Sequence, residues 1–160
     1  MTLTVSFTIN GAPVSTAVHP ETVLADVIRD EFQLVGCKVG CDQAVCGACT
    51  VLVDRIPMAA CSTFAFEAEG RDIVTIEGLA RPDGTLSAVQ RAFLDVQGFQ
   101  CGFCTGGLIL LVTALLERDP DPDRATITDW LGSAVCRCTG YLAIIEAVET
   151  AARLNREVAA

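Results

Sequence analysis

Apolar and polar side chains alternate at the start of the chain, with Leu3, Val5, Phe7 and Ile9 set against Thr4, Ser6, Thr8 and Asn10. A period of two predicts a half-buried strand. Asn10-Gly11 follows, a pair that accepts positive φ and reads as a hairpin turn, so residues 12–18 are the returning strand. The period then changes: Leu24, Val27 and Ile28 stand at helical spacing within residues 21–30, behind Pro20 as a start signal. No period survives over residues 35–50, where cysteines and glycines predict a loop wrapped around something. Residues 51–53, 57–60 and 73–76 are short strand candidates.

Beyond Gly78 the pattern turns helical. Arg81-Pro82-Asp83-Gly84 reads as a linker and turn. Three helical patterns follow: Val89, Phe93 and Val96; then residues 108–116; then Tyr141, Ile144, Ile145 and Val148. Thr126-x-x-Asp129 offers a capping box for a short helix ending before Gly132. No internal repeat links the halves. The expectation is an α+β chain of two domains, 1–79 carrying the strands and 80–160 all-α.

With 160 residues, 51% hydrophobic and 19% charged, the chain is far from the composition of a disordered protein. Its sparse charge predicts that much of the surface is buried against partners. A net charge of −9 argues against nucleic acid or an anionic membrane as ligand. The apolar run over residues 107–116 is well short of the roughly 20 residues a membrane span needs. Residues 1–11 lack the basic start of a signal peptide. The expected location is the cytoplasm, with export alongside a partner left open.

Nine cysteines change the picture. In a reducing compartment a disulfide framework is a poor explanation, and an odd number leaves one thiol over. His19 is the sole histidine, which argues against mixed Cys/His zinc fingers. Cys41, Cys46 and Cys49 are spaced C-x4-C-x2-C, with Cys61 after a further gap, the plant-type [2Fe–2S] spacing. Negatively charged sulfurs need backbone N–H donors around them, and Gly40, Gly47 and Ala48 let the main chain curl close. With the hairpin and its helix, this describes a β-grasp, ferredoxin-like domain. Cys101, Cys104, Cys136 and Cys138 form a second four. The first two precede an apolar helix, whose N-terminal dipole favours thiolates. The spacings of this second four leave zinc as a rival.

Longer strings carry a resemblance. Gln100-Cys-Gly-Phe-Cys-Thr-Gly106, Cys136-Arg-Cys-Thr-Gly-Tyr141, the Cys46-Gly-Ala-Cys-Thr-Val51 run and Thr75-Ile-Glu-Gly-Leu79 resemble, in order, the small iron–sulfur subunits of molybdenum hydroxylases, the family that includes xanthine oxidase, carbon monoxide dehydrogenase and aldehyde oxidoreductase. The resemblance spans essentially the whole chain. It implies a β-grasp domain followed by a four-helix bundle, with one [2Fe–2S] cluster in each. It further implies a large partner subunit with the molybdenum–pterin cofactor, often a medium subunit with FAD, and a hetero-oligomer, in its fullest form a dimer of heterotrimers. In that family the residues matching Gln100 and Cys138 approach the pterin. The implied role is electron transfer from molybdenum through the two clusters to FAD, or in an FAD-free complex to a cytochrome or other carrier.

The chain departs from the family pattern at Ala44, commonly glycine, at Gly106, commonly proline, at Ala134, commonly asparagine, and at Ser87-Ala88, where histidine-proline is common. No ligand is lost. Cys37 is read as a small buried apolar residue, with alternative ligation the less favoured reading. Trp130 and Phe103 are read as packing residues, and His19 and Arg137 as exposed. No paired carboxylates suggest a general acid or base, so no catalytic residue is expected in this chain. A free ferredoxin-like shuttle fails to explain the second four cysteines, and a zinc-stabilised interaction module is separable by colour alone. The substrate of the complex stays open.

Overall fold

The computed structural model describes residues 1–159. Strands β1 (Leu3–Ile9) and β2 (Ala12–Val18) form the expected hairpin, with Leu3 opposite Val18 and Ile9 opposite Ala12. Asn10 and Gly11 turn it at φ 51° and 80°, as that dipeptide allows. Val5, Phe7 and Ile9 are buried. Strands β3 (Thr50–Val53), β4 (Ile56–Ala59) and β5 (Asp72–Val74) complete a five-stranded sheet of order β2-β1-β5-β3-β4. It is mixed: β5 runs parallel to β1, and the other pairs are antiparallel.

The helix expected over residues 21–30 is corrected. Residues Thr22 and Val23 are held extended, with Val23 bridged to Phe64, Ala65 donating to the Thr22 carbonyl and Leu24 donating to that of Thr63. Helix α1 therefore starts only at Leu24, lasts through Asp26 and widens into a π turn over Val27–Glu31. The apolar face of Leu24, Val27 and Ile28 is buried as expected. Two strand limits also shift. Ala60 leaves the β4 ladder and donates to the Cys49 carbonyl at 3.2 Å. Ile76 belongs to a 3₁₀ turn, Ile76–Gly78, because Asn10 pins the preceding Thr75 through both its N–H and its hydroxyl.

Helices α2 (Ala88–Asp95), α3 (Thr105–Arg118), α4 (Arg124–Leu131) and α5 (Leu142–Ala159) follow, so the architecture is α+β. Ser87 caps α2 in a capping box with Gln90. The capping box expected at Thr126 is corrected: Asp123 is the cap, accepting from the Thr126 N–H at 2.7 Å, and Thr126 lies inside the first turn of α4.

Two apolar cores form, one between the sheet, α1 and the Ala65–Ala68 turn, the other among α2–α5. A third, small cluster joins them. Strand β3 is buried on both faces: Val51 and Val53 point into the sheet core, whereas Leu52 packs against Leu110 and Ala114 of α3. The backbones meet as closely nearby. A Cβ at Gly107 would overlap the Gly47 carbonyl oxygen, and one at Gly106 would come within 3.2 Å of the Gly36 carbonyl.

Gly107→Ala tests this contact. In an unconstrained helix the change would add up to about 1 kcal/mol of stability. Here overlap with Gly47 should win and cost about 1–3 kcal/mol. Thermal unfolding should show the midpoint falling by several degrees, and a rise would mean the halves are not pressed together at this point.

Candidate iron–sulfur sites

In the first loop Asp42, Ala44 and Gly47 take left-handed conformations, at φ 56°, 55° and 69°. Alternating the backbone hand in this way turns successive N–H groups inward into an anion-binding nest. The N–H groups of Gln43, Val45 and Cys46 point at Cys41 Sγ at 3.4, 3.4 and 3.3 Å, and that of Ala44 points at Cys61 Sγ at 3.4 Å. Those donors, Val45 first, draw the Cys41 thiol down to about 7. Cys49, at the end of the loop, is buried, and burial pushes its thiol up to about 11. Cys61 arrives from beyond β4, its position fixed by the Ala60–Cys49 hydrogen bond and by Ala25 donating to the Ala60 carbonyl at 3.0 Å.

The second site is built from two helix ends. Cys104 is the N-cap residue of α3, and its carbonyl accepts from Leu108 at 3.0 Å. Gly102, at φ 82°, turns the chain between Cys101 and Cys104. Cys136 and Cys138 lie between α4 and α5. There the Tyr141 hydroxyl accepts from the Cys136 N–H and donates to the Ala134 carbonyl, each at 2.8 Å, and the Thr139 hydroxyl donates to Cys136 Sγ at 3.2 Å. Burial raises the Cys136 thiol, but the Thr139 hydroxyl and backbone donors outweigh it and leave the group below its ordinary value. Burial, then the neighbouring Cys136, pushes Cys104 up to about 12. Cys138 is raised, chiefly by its contact with the Cys101 thiol.

The sulfurs associate two by two: Cys41 with Cys46, Cys49 with Cys61, Cys101 with Cys138, and Cys104 with Cys136. Among the described residues no three Cys, His, Asp or Glu side chains converge as a mononuclear ion would require. Two thiols for each of two irons is the donor set a binuclear cluster uses, so both groups of four fit [2Fe–2S] ligation. Exposure is graded: Cys49 and Cys61 are buried, Cys41, Cys46, Cys104 and Cys136 half-buried, and Cys101 and Cys138 exposed.

Cys41 and Cys46 of the first site and all four cysteines of the second line one cleft of about 230 Å³. Val135 donates to the Cys46 carbonyl at 2.9 Å, joining the loops directly. Phe103 is 47% exposed and covers this cleft against Gly40 rather than filling a core. Arg137 is exposed on the cleft rim, Gln100 is exposed beside Cys101, and His19 is exposed just after β2. Trp130 packs, its Nε1 donating to the Leu111 carbonyl at 2.9 Å. Cys37 is buried behind the first loop with its thiol pushed to about 12 by burial, donating to the Cys49 carbonyl at 3.6 Å. Spacing alone does not reveal the braces at Thr139 and Tyr141, although both stand inside the Cys136–Tyr141 string.

Residues 7–74 match the family described as 2Fe-2S iron-sulfur cluster binding domain, and residues 75–149 match the [2Fe-2S] binding domain. The chain is 44% identical over 151 residues to a probable xanthine dehydrogenase subunit from Bacillus subtilis (strain 168), covering 94% of this chain and 84% of that protein. It is 41% identical over 148 residues to the aldehyde oxidoreductase of Megalodesulfovibrio gigas, covering 91% of this chain but 16% of that longer protein. The crystal structure of quinoline 2-oxidoreductase from Pseudomonas putida 86 superimposes with a TM-score of 0.92 at 40% identity, covering 98% of this chain and 97% of that chain.

Ala44 sits at φ 55°, where a Cβ costs about 1–2 kcal/mol and glycine nothing. Ala44→Gly should therefore stabilise the chain by up to about 1 kcal/mol after the greater flexibility of unfolded glycine is counted. Denaturant titration of the cluster-loaded chain reads this, and destabilisation would mean the loop is not left-handed there. Cys37→Ser should leave both sets of four intact, with unchanged iron content.

Proposed function

The chain belongs to the small iron–sulfur subunits of the molybdenum hydroxylase family, and from that premise we propose how its cysteines divide the work. Cys41, Cys46, Cys49 and Cys61 hold one [2Fe–2S] cluster, and Cys101, Cys104, Cys136 and Cys138 hold the other. A bound cluster of this kind supplies one-electron storage at a potential that the surrounding protein sets. The halves are read as a β-grasp domain over residues 1–79 and a four-helix bundle domain over 80–160.

The protein's part is to hold, insulate and orient. Backbone N–H groups aimed at Cys41 and Cys61 offset thiolate charge in the first site, and the Thr139 hydroxyl does so in the second, where Tyr141 braces the backbone at Cys136 and Ala134. The observation that carries the reading is the shared cleft, lined by Cys41 and Cys46 of the first group and by all four cysteines of the second. In this proposal exposed Cys138 and Gln100 face a molybdenum–pterin site on a large partner subunit. The exposed loop around Ala44 and Val45 faces FAD on a second partner, so that the chain carries electrons between them. Among the described residues no helix is long and apolar enough to cross a membrane. We place the complex in the cytoplasm, with co-export alongside a partner as the alternative.

Iron and acid-labile sulfide should come to about four of each per chain, and EPR of the reduced complex should show two distinct signals. Zinc in place of iron, or a signal integrating to one cluster, overturns the assignment. Rapid mixing with substrate and freeze-quench EPR reads direction. Gln100→Ala should slow the appearance of both signals. Ala44→Glu should leave the second cluster reducible while steady-state turnover with the natural acceptor falls.

A further inference from the structure

Just ahead of the first cysteine loop, residues 35–37 are gripped from two sides by side chains of opposite charge. Arg29, carried on the π turn, donates from Nη1 to the carbonyl oxygens of Cys37 at 2.7 Å and Val35 at 3.3 Å. From the other side Glu77 Oε1 accepts from the Gly36 N–H at 2.8 Å, while its Oε2 accepts from the Thr75 hydroxyl at 2.6 Å. Thr75 is wholly buried and doubly bonded to Asn10, so the carboxylate is anchored to the sheet. A Cβ at Gly36 would come within 2.7 Å of Glu77 Oε1, so the carboxylate reaches the backbone only because no side chain intervenes.

The gripped segment in turn holds the ligand loop. Cys37 donates its thiol hydrogen to the Cys49 carbonyl, and Lys38 donates its N–H to the Ala48 carbonyl at 3.2 Å. Arg29 is half-buried, and the hydrogen bonds it makes here run to carbonyl oxygens rather than to a carboxylate, so they leave its charge uncompensated. Glu77 is exposed, so water screens more of its charge.

We infer that Arg29 and Glu77 are positioning residues for the N-terminal [2Fe–2S] site, clamping the backbone behind its ligands and biasing its potential in opposite directions. The inference rests on Cys41, Cys46, Cys49 and Cys61 being the ligands of that cluster. Reduction adds one negative charge to the site. A fixed guanidinium nearby favours the reduced form, and a fixed carboxylate disfavours it.

The test is a redox titration followed by EPR on the assembled complex with both clusters loaded. At a fixed poised potential, Arg29→Gln should lower the reduced-to-oxidised ratio of the N-terminal cluster by about two- to tenfold. Glu77→Gln should raise that ratio by a smaller factor, and Arg29→Lys should restore most of the loss. The ratio of the C-terminal cluster should not move. A merely structural clamp would shift both variants in one direction, because each loosens the same segment, and that result overturns the inference. So does the absence of any shift with both signals at full strength. If Arg29→Gln loses the N-terminal signal, its retention in Arg29→Lys supports the clamp, and its loss there as well, with Glu77→Gln unshifted, overturns the electrostatic part. Failure of the ligand assignment itself is distinguishable, since the unaltered complex would then lack one of its two signals.

Discussion

Gathering like charges out of water is the constraint on which this structure depends. Four thiolates held together repel one another and lose hydration, and both effects oppose ionisation. The chain answers with oriented backbone. In the first loop the left-handed residues at 42, 44 and 47 aim N–H groups at Cys41 and Cys61. Where such donors are dense the Cys41 thiol falls to about 7, and where burial dominates Cys49 rises to about 11. With iron bound as proposed, the metal would offset the charge that the backbone donors leave, and loop order and metal binding would be coupled.

The demand for exposed backbone N–H groups also shapes the contact between the halves. A loop that turns its amides inward shows its carbonyls and Cα atoms outward, and these must meet something. Here they meet another backbone: Gly47 lies against Gly107 and Ala134, and the Cys46 carbonyl takes a hydrogen bond from Val135. The glycines at 47 and 107 therefore follow from this close backbone contact. Leu52, Leu110 and Ala114 add an apolar contact, so that cleft and core are fixed by the same pair of elements, β3 and α3.

Much of this was legible in the chain. The hairpin was readable because burial on one face imposes a period of two, and the cysteine groups because ligand spacing is a local property. The length of α1 was not. Its periodic face at Leu24, Val27 and Ile28 is correct, yet its start is delayed by pairing of Thr22 and Val23 with a segment some forty residues away. The cap of α4 was misplaced because Thr126 and Asp123 both suit the role, and only the path of the preceding chain selects Asp123. Arg29, Asn10 and Glu77 were invisible as site residues because they act on carbonyls and amides, which every residue carries and no spacing reveals.

Exposure of the sulfurs adds the last constraint. The pair most deeply buried, Cys49 with Cys61, is the one backed by the Arg29–Cys37 segment, and the most exposed, Cys101 with Cys138, is backed by no comparable charge clamp among the described residues. Water stabilises added charge at the exposed site, whereas a buried site must find that stabilisation in the protein. A half-buried arginine whose hydrogen bonds here run to carbonyls meets that need without binding the sulfurs themselves. The carboxylate at Glu77 then holds the same backbone from the solvent side, where its opposing field is weakest. Placement of the two charges relative to water thus lets one grip serve both geometry and potential.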